Sequence, residues 1–200
     1  AASILRFMNA GPGVLFHCAA ETSLGLSLDE LYVTNVRSCA TFFQVSNIRV
    51  VYASTLAIFL ACDKVPKVLK EKKNSQPPES KIFGGYAQSK WLAEQLAWQR
   101  GAVIFRFGLL VDQHCLPCAD WFVNFVRGLV SISGFPHDIA ADLCIDITPL
   151  DYAAQSFVEI GLHPQAAGVY HVAAHKSLPF HELVSALNLL GNAVVPLTRK

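Results

Sequence analysis

Apolar and polar positions along the chain follow two different periods, and the two kinds of segment alternate. Short runs made almost wholly of apolar residues recur along the sequence and are predicted to form strands. They lie at residues 14–18, 49–53, 102–107 and 169–172, with a further short candidate at 143–147. Runs of this kind are typical of strands that are buried on both faces of a sheet.

Stretches of helical length separate these runs. The predicted helices cover residues 28–45, 86–100, 120–130, 148–160 and 179–190. Gly101 is placed to end the second helix, and the fourth opens with Thr148 as N-cap and Pro149 at its first position. The alternation predicts an α/β fold with a doubly wound parallel sheet that helices cover on both faces. Ligands of such sheets bind outside the carboxyl ends of the strands.

Composition limits the classes of function. Of the 200 residues, 52% are apolar and 16% are charged, and the net charge of +1 provides no electrostatic footprint for nucleic acid. No apolar run in the sequence reaches the roughly 18 residues that a membrane span requires. The six cysteines are scattered, several of them within apolar runs, which is typical of a reduced, cytoplasmic protein.

Two further sequence features have a plain interpretation. Cys115 and Cys118 form a Cys-x-x-Cys pair beside His114, but a closed zinc site needs four ligands and no second pair stands at suitable spacing. We therefore predict no metal site. The basic run at residues 64–73 is interpreted as a solvated loop face rather than a binding patch.

The strongest chemical signal begins at Tyr86. Tyr86 and Lys90 stand four residues apart at the start of a predicted helix, so their side chains lie on one helical face. A nearby ammonium group favours the phenolate and makes the phenol a better proton donor at neutral pH. Reduction of a carbonyl needs such a donor beside a nicotinamide hydride. The pair alone also fits an ordinary amphipathic helix start, because this spacing often occurs by chance.

Four blocks of sequence accompany that pair. They are residues 14–20, which end in His-x-Ala-Ala, Asn35-Val36, residues 52–59 with a serine and a threonine at a strand end, and residues 85–94. In this order they resemble the extended short-chain dehydrogenase/reductase superfamily, and more narrowly its thioester reductase domains. Those domains include the terminal reductases of nonribosomal peptide and polyketide synthases, carboxylic acid reductases and aminoadipate reductases, and they are related to fatty acyl-CoA reductases. The sequence Gln-Ser-Lys-Trp at residues 88–91 is characteristic of thioester reductases.

The resemblance implies a Rossmann-like sheet with a small substrate-binding lobe, and three catalytic side chains. Hydride would pass from NADPH, with NAD as the alternative, to an acyl thioester held on a phosphopantetheine carrier domain or on CoA. The product would be an aldehyde, which a second reduction could convert to an alcohol. Thr55 would hydrogen-bond the developing oxyanion and Tyr86 would donate the proton. Lys90 would lower the pKa of Tyr86 and bind the nicotinamide ribose.

The same resemblance implies a set of cofactor contacts. Ala19 and Ala20 would pack near the adenosine side of the cofactor, largely through their backbone. Phe107, Gly108 and Leu109 would border the nicotinamide, again through backbone and apolar contact. Phe107 stands where the family has proline, which leaves this turn less rigid. The asparagine of Asn35-Val36 matches a structural asparagine of the family.

One expected motif is absent from the sequence. A glycine-rich loop after the first strand of such a sheet normally cradles the cofactor pyrophosphate, but Gly11-Pro12-Gly13 precedes a strand rather than a helix. The N-terminal part of the sheet is therefore expected to be missing, and the chain to belong to a larger polypeptide. We predict that residues 1–111 form the C-terminal part of the cofactor-binding core, followed by a substrate-lobe segment at 112–142. Residues 143–173 return to the core, and 174–200 form a further lobe segment.

Two other functions stay open at this point. A nucleotide-sugar epimerase or dehydratase, or a hydroxysteroid-type dehydrogenase, would use the same three catalytic residue types, and the Gln-Ser-Lys-Trp context argues against it. A catalytically silent fragment or scaffold would explain the missing phosphate loop.

Overall fold

The computed structural model describes residues 12–45, 47–72, 75–112, 121–138 and 143–197. The strands are β1 (Gly13–His17), β2 (Ile48–Thr55), β3 (Val103–Phe107), β4 (Leu110–Val111), β5 (Gly134–Pro136), β6 (Cys144–Ile145), β7 (Thr148–Pro149), β8 (Val169–Val172), β9 (Leu178–Pro179) and β10 (Val195–Leu197). The α-helices are α1 (Leu28–Leu31), α2 (Ser38–Phe42), α3 (Ala57–Leu60), α4 (Gly85–Gln99), α5 (Trp121–Ser131), α6 (Leu150–Leu162) and α7 (Phe180–Leu189).

The described residues divide into two units. The first comprises the residues up to Gly108 together with Ala154–Val172, and the second comprises Leu109–Ala153 and the residues from Ala173 onwards. A π-helical turn, Tyr32–Arg37, joins α1 to α2, and a short 3-10 turn, Glu79–Lys81, precedes α4.

A four-stranded parallel sheet in the order β1-β2-β3-β8 forms the centre of the first unit. The four apolar runs of the sequence are its strands, so the predicted α/β fold with a parallel sheet is confirmed. Crossover connections through helices are what parallel pairing requires, because adjacent parallel strands cannot be joined by a tight turn.

Alternate residues of the sheet face two different helical layers, as the two-residue period of a strand requires. Tyr52 and Ile104 face one layer, in a buried cluster with Phe43, Ala93 and Ala97. Residues of opposite parity face α6, where the Phe105 ring packs edge-on against Phe157 with a distance of 4.9 Å between the ring centroids. A Cβ added to Gly161 on α6 would lie 2.6 Å from the Phe16 ring, so glycine allows this helix to approach β1.

The predicted helix at residues 28–45 is broken into α1, the π turn and α2. Ser27 and Glu30 begin it with a capping box, in which the Ser27 backbone N–H donates to the Glu30 carboxylate at 2.8 Å. The π turn buries Asn35 and Val36. π-helical turns inside α-helices frequently occur at functional sites, and the location of Asn35 fits that pattern.

The second unit has its own core and three small two-stranded sheets. Leu129 of α5 packs with Phe180, Leu183 and Leu187 of α7 and with Val194. β10 pairs with β5 in parallel, β4 pairs with β7 in parallel, and β6 pairs with β9 antiparallel. The predicted strand at 143–147 is thus only two residues long, and the strand at 195–197 had no signal in the sequence pattern.

The predicted start of the fourth helix is wrong. Thr148 and Pro149 form β7, and α6 begins at Leu150. The Thr148 N–H donates to the Leu109 carbonyl at 2.8 Å. Its hydroxyl donates to Asp146 at 3.0 Å and accepts from the Ala174 N–H at 2.9 Å. A hydroxyl held by these tertiary bonds is not used to cap a helix.

Candidate active site

The carboxyl ends of the sheet strands meet at one edge in the first unit. Thr55 at the end of β2 is in register with Phe107 at the end of β3, and Phe107 is in register with Val172 at the end of β8. Ala19 and Ala20 follow β1 at the same edge, and Ala19 is exposed. The edge therefore brings together most of the residues that the sequence predicted for the site.

The start of α4 is fixed by the glycine pair that precedes Tyr86. Gly84 has a φ of +77°, which side chains rarely adopt, and a Cβ on Gly85 would lie 2.4 Å from the Leu26 carbonyl oxygen. The Gln88 amide donates to the Ile82 carbonyl at 3.0 Å and ties the first turn to the preceding chain. Tyr86 thus begins a helix whose position is set by close backbone packing.

Tyr86 and Thr55 form one polar pair at this edge. Burial raises the pKa of the Tyr86 phenol, against the lowering that was predicted, and the group that opposes the rise is the Thr55 side chain rather than Lys90. The Thr55 hydroxyl also accepts from the Ala57 N–H at 3.1 Å, which fixes it at the turn after β2. At neutral pH the phenol therefore keeps its proton beside a hydroxyl that is held in place.

Lys90 lies one turn further along α4 and is buried, with 4% of its surface exposed. Its ammonium donates to the Ala53 carbonyl at 2.5 Å and lies 4.4 Å from the centroid of the Tyr52 ring. Desolvation by burial lowers the pKa of Lys90 from 10.5 to about 8, while Cys39, Glu94 and Cys18 act in the opposite direction. The cation is held by a carbonyl and an aromatic face at the base of the site.

Asn35 connects the π turn to the first turn of α4. It is buried, its side-chain amide donates to Ser89 Oγ at 2.9 Å, and Ser89 Oγ donates to the Tyr86 carbonyl at 2.8 Å. Its side chain also exchanges two hydrogen bonds with the Glu21 backbone. The sequence resemblance identified the asparagine as structural, but Ser89 as its partner had no separate signal.

The remaining residues that were predicted to contact the cofactor lie at the strand ends, where their backbone groups form hydrogen bonds. The Phe107 ring packs against Phe105 and Phe157 in the core, while its carbonyl accepts from the Leu56 N–H at 2.8 Å. The Gly108 N–H donates to the Val172 carbonyl at 2.9 Å. Leu109 is the first residue of the second unit, where its carbonyl accepts from Thr148.

A buried charge network behind the site was missed by the sequence reasoning. Glu94 of α4 and Arg106 of β3 form an ion pair at 2.5 Å, and both side chains are fully buried. Ser54, the neighbour of Thr55, donates to Glu94 Oε2 at 2.7 Å, and the Gln76 amide donates to Oε1. The available signal was an arginine in an otherwise apolar strand, because a buried charge needs a partner.

His17 lies in the buried core. It is 4% exposed and packs between Phe42 and Phe43, and burial lowers its pKa. Within the described residues, no cluster of three or more His, Cys, Asp or Glu side chains is placed to hold a metal ion. The pair Cys115 and Cys118 lies outside the described residues. Over the same part of the chain, no helix is both long and apolar enough to cross a membrane.

Comparison with known proteins gives matches over much of the chain. Residues 5–157 match the family model described as male sterility protein. The chain is 27% identical over 119 residues to the L-2-aminoadipate reductase of Schizosaccharomyces pombe, which covers 55% of this chain and 8% of that protein. It is 30% identical over 175 residues to the isonitrile lipopeptide synthase of Streptomyces coeruleorubidus, which covers 80% of this chain and 11% of that protein. The chain thus spans a small part of the length of these relatives.

Among solved structures, the terminal R domain from the myxalamid PKS-NRPS biosynthetic pathway superposes with a TM-score of 0.83 at 21% identity. The match covers 98% of this chain and 51% of that chain. The prediction of a Rossmann-like fold is confirmed by this likeness.

Proposed function

We propose a function on the premise that the chain belongs to the male sterility protein family, whose NAD-binding model matches more than half of its residues. The proposed activity is the reduction of an acyl thioester to an aldehyde by a thioester reductase of the extended short-chain dehydrogenase/reductase type. The thioester would be carried on the phosphopantetheine arm of a carrier domain or on CoA.

The convergence of Thr55, Tyr86 and Lys90 supports this proposal more than any other observation. A protonated phenol stands beside a fixed hydroxyl, and a buried ammonium lies one helical turn away. A reductase needs this combination, since a carbonyl oxygen that gains negative charge must be stabilised and then protonated. A scaffold would have no use for a lysine that is buried at such a cost in desolvation.

The residues at the strand ends fit a nicotinamide dinucleotide. The Tyr86 phenol and the Lys90 ammonium are donors of the kind that ribose hydroxyls accept, and the small, exposed Ala19 leaves space beside β1. When bound, NADPH supplies a hydride. Ala19 and Ala20 would then lie near its adenosine side, and the backbone of Phe107, Gly108 and Leu109 would border the nicotinamide.

The side chains of the site would carry out the remaining chemistry. Thr55 donates a hydrogen bond to the thioester oxygen as negative charge develops there. Tyr86 transfers its phenolic proton to this oxygen while the carbonyl carbon accepts the hydride, which gives a hemithioacetal. Cleavage of its C–S bond releases the thiol and the aldehyde. Lys90 orients the ribose and supports the phenolate that remains on Tyr86.

An assay of the full-length protein with NADPH and an acyl-pantetheine thioester tests the proposal. We expect NADPH oxidation with stoichiometric formation of aldehyde or alcohol and of free thiol. Binding of NADPH without turnover would contradict the thioester reductase and favour an epimerase or dehydratase. Failure to bind NADPH at all would favour a silent scaffold.

Lys90 also makes a testable contribution to stability. Its pKa is about 8 in the folded chain against 10.5 without burial, so the unfolded state binds more protons between these two values. Burial of the Lys90 ammonium therefore lowers the free energy of unfolding. This loss is fully present below pH 8 and disappears as the pH rises through 10.5. We expect wild type to gain roughly 2–3 kcal/mol of unfolding free energy relative to Lys90→Met between pH 7 and pH 10.

Urea unfolding of both proteins at several pH values measures this difference. Lys81→Met is the matched control, because Lys81 is exposed and its replacement removes a lysine from the surface rather than from the interior. A difference between wild type and Lys90→Met that does not change with pH would show that Lys90 titrates normally in the folded state.

A further inference from the structure

We propose that the loop between β2 and α4 is the docking surface for an acidic carrier domain that presents the acyl thioester, an inference that rests on the proposed reductase function. The docking loop is defined here as residues 60–72 and 81–83. The sequence alone predicted a solvated face for its basic run. The structure adds exposed apolar side chains, a fixed backbone and a location beside the catalytic pair.

The docking loop exposes large apolar side chains to an unusual degree. Leu60, Val65, Val68 and Phe83 are each more than half exposed, and Val68 reaches 69%. Single exposed apolar residues are normal on a protein surface, but four on one loop are typical of a surface that binds another protein.

Positive charge is interleaved with these side chains. The described lysines of the loop are all exposed, and they are Lys64, Lys67, Lys70, Lys72 and Lys81. Asp63 and Glu71 are the acidic residues of the same ranges, and the Glu71 carboxylate accepts from the His171 backbone N–H at 2.6 Å. The loop is therefore strongly positive although the whole chain has a net charge of only +1. A positive surface of this kind is complementary to an acidic partner.

Several contacts hold the docking loop in place. Cys62 and Ile82 form an antiparallel bridge, and the Phe83 N–H donates to the Ala61 carbonyl at 2.7 Å. Pro77 lies between the two ranges of the loop, and its carbonyl accepts a hydrogen bond from the Trp91 indole N–H of α4 at 3.1 Å. A surface that is ordered before binding loses less conformational entropy when a partner docks.

The ends of the loop lie beside the proposed catalytic pair. Leu60 follows Thr55 by five residues, Phe83 precedes Tyr86 by three, and the hydrogen bond between Phe83 and Ala61 joins the two ends. A carrier domain bound here would direct its phosphopantetheine arm towards Thr55 and Tyr86. The phosphates of CoA would need only the lysines, so the exposed apolar side chains favour a folded partner.

Steady-state kinetics of the full-length protein with three substrates tests this inference. The same acyl group is supplied on pantetheine, on CoA and on an acyl carrier protein of net negative charge. We expect the double variant Lys64→Glu/Lys67→Glu, and separately Val68→Ser, to lower kcat/KM for the acyl carrier protein roughly tenfold or more, mainly through KM. Added salt should weaken the wild-type reaction with the carrier substrate in the same direction. Turnover of acyl-pantetheine should not change.

Arg37→Glu is the matched control, because Arg37 is an exposed cation on the π turn outside the docking loop, and its reversal should leave all three substrates unaffected. Unchanged kinetics of the carrier substrate in both loop variants would overturn the inference. So would an equal loss with acyl-CoA together with no effect of Val68→Ser, which would identify a phosphate site instead. Titrating the full-length protein with the carrier protein separates the docking inference from the proposed reductase function. Binding of the carrier protein can be lost in the loop variants whether or not wild type reduces acyl-pantetheine.

Discussion

Replacing Tyr86 by phenylalanine is expected to lower turnover of an acyl-pantetheine thioester about 10²–10⁴-fold, the range that a positioned proton donor contributes. The phenol is the group that would protonate the thioester oxygen, and burial raises its pKa so that it carries a proton at neutral pH. Phenylalanine keeps the ring at the start of α4 and removes only the hydroxyl. NADPH affinity should fall far less than turnover, because Lys90 and the strand ends, which would also hold the cofactor, are unchanged.

Two measurements are needed for this prediction: single-turnover reduction of the thioester and NADPH binding by fluorescence titration. Tyr32→Phe is the control, since Tyr32 is an exposed tyrosine on the π turn and its hydroxyl lies outside the proposed site. A Tyr86→Phe variant that turns over at the wild-type rate would show that another group supplies the proton. A variant that loses NADPH affinity to the same extent as activity would show that the phenol binds cofactor rather than protonating substrate.

The sequence predicted the sheet because its signal is local. Strands that are buried on both faces have uninterrupted apolar sequences, and all four apolar runs are strands of one parallel sheet. The helix from Gly85 was equally clear, because Gly101 ends it and two glycines precede Tyr86. The family resemblance then predicted that Thr55 and Tyr86 share one sheet edge, and in the structure the Thr55 side chain acts on the pKa of the Tyr86 phenol.

What the sequence could not show depends on contacts between distant segments. Thr148-Pro149 has a good helix-start signal, but it forms a strand because Thr148 pairs with Leu110 and its N–H donates to the Leu109 carbonyl. The interruption of the predicted helix by a π turn follows from the burial of Asn35 against Ser89, 54 residues away. The docking proposed for the basic loop rests on information of the same kind, because the exposure of Val65 and Val68 is a property of the folded chain.

The buried pair of Glu94 and Arg106 is expected to have the largest effect on stability. Its two charges lie 2.5 Å apart and neither has contact with solvent. Removing one partner leaves the other uncompensated in the interior, so Glu94→Leu and Arg106→Met should each lower the free energy of unfolding by about 3–5 kcal/mol. The double variant should be more stable than either single variant, because neither charge then remains buried alone. Arg127→Met, at an exposed arginine on α5, is the control for loss of a cation and should change little.

Urea unfolding of the four proteins forms a double-mutant cycle that measures the coupling. A double variant as unstable as the sum of the two single variants would show that the pair is not coupled. The pair also connects the core to the site, since Glu94 accepts from Ser54 beside Thr55 and from Gln76 in the segment before α4. Single variants at Glu94 should therefore increase amide exchange at residues 54–56 more than on α6, which packs against strand residues of the opposite parity. Burying this charge pair costs desolvation free energy. Its role is to position two segments, the end of β2 and the chain that leads to Tyr86.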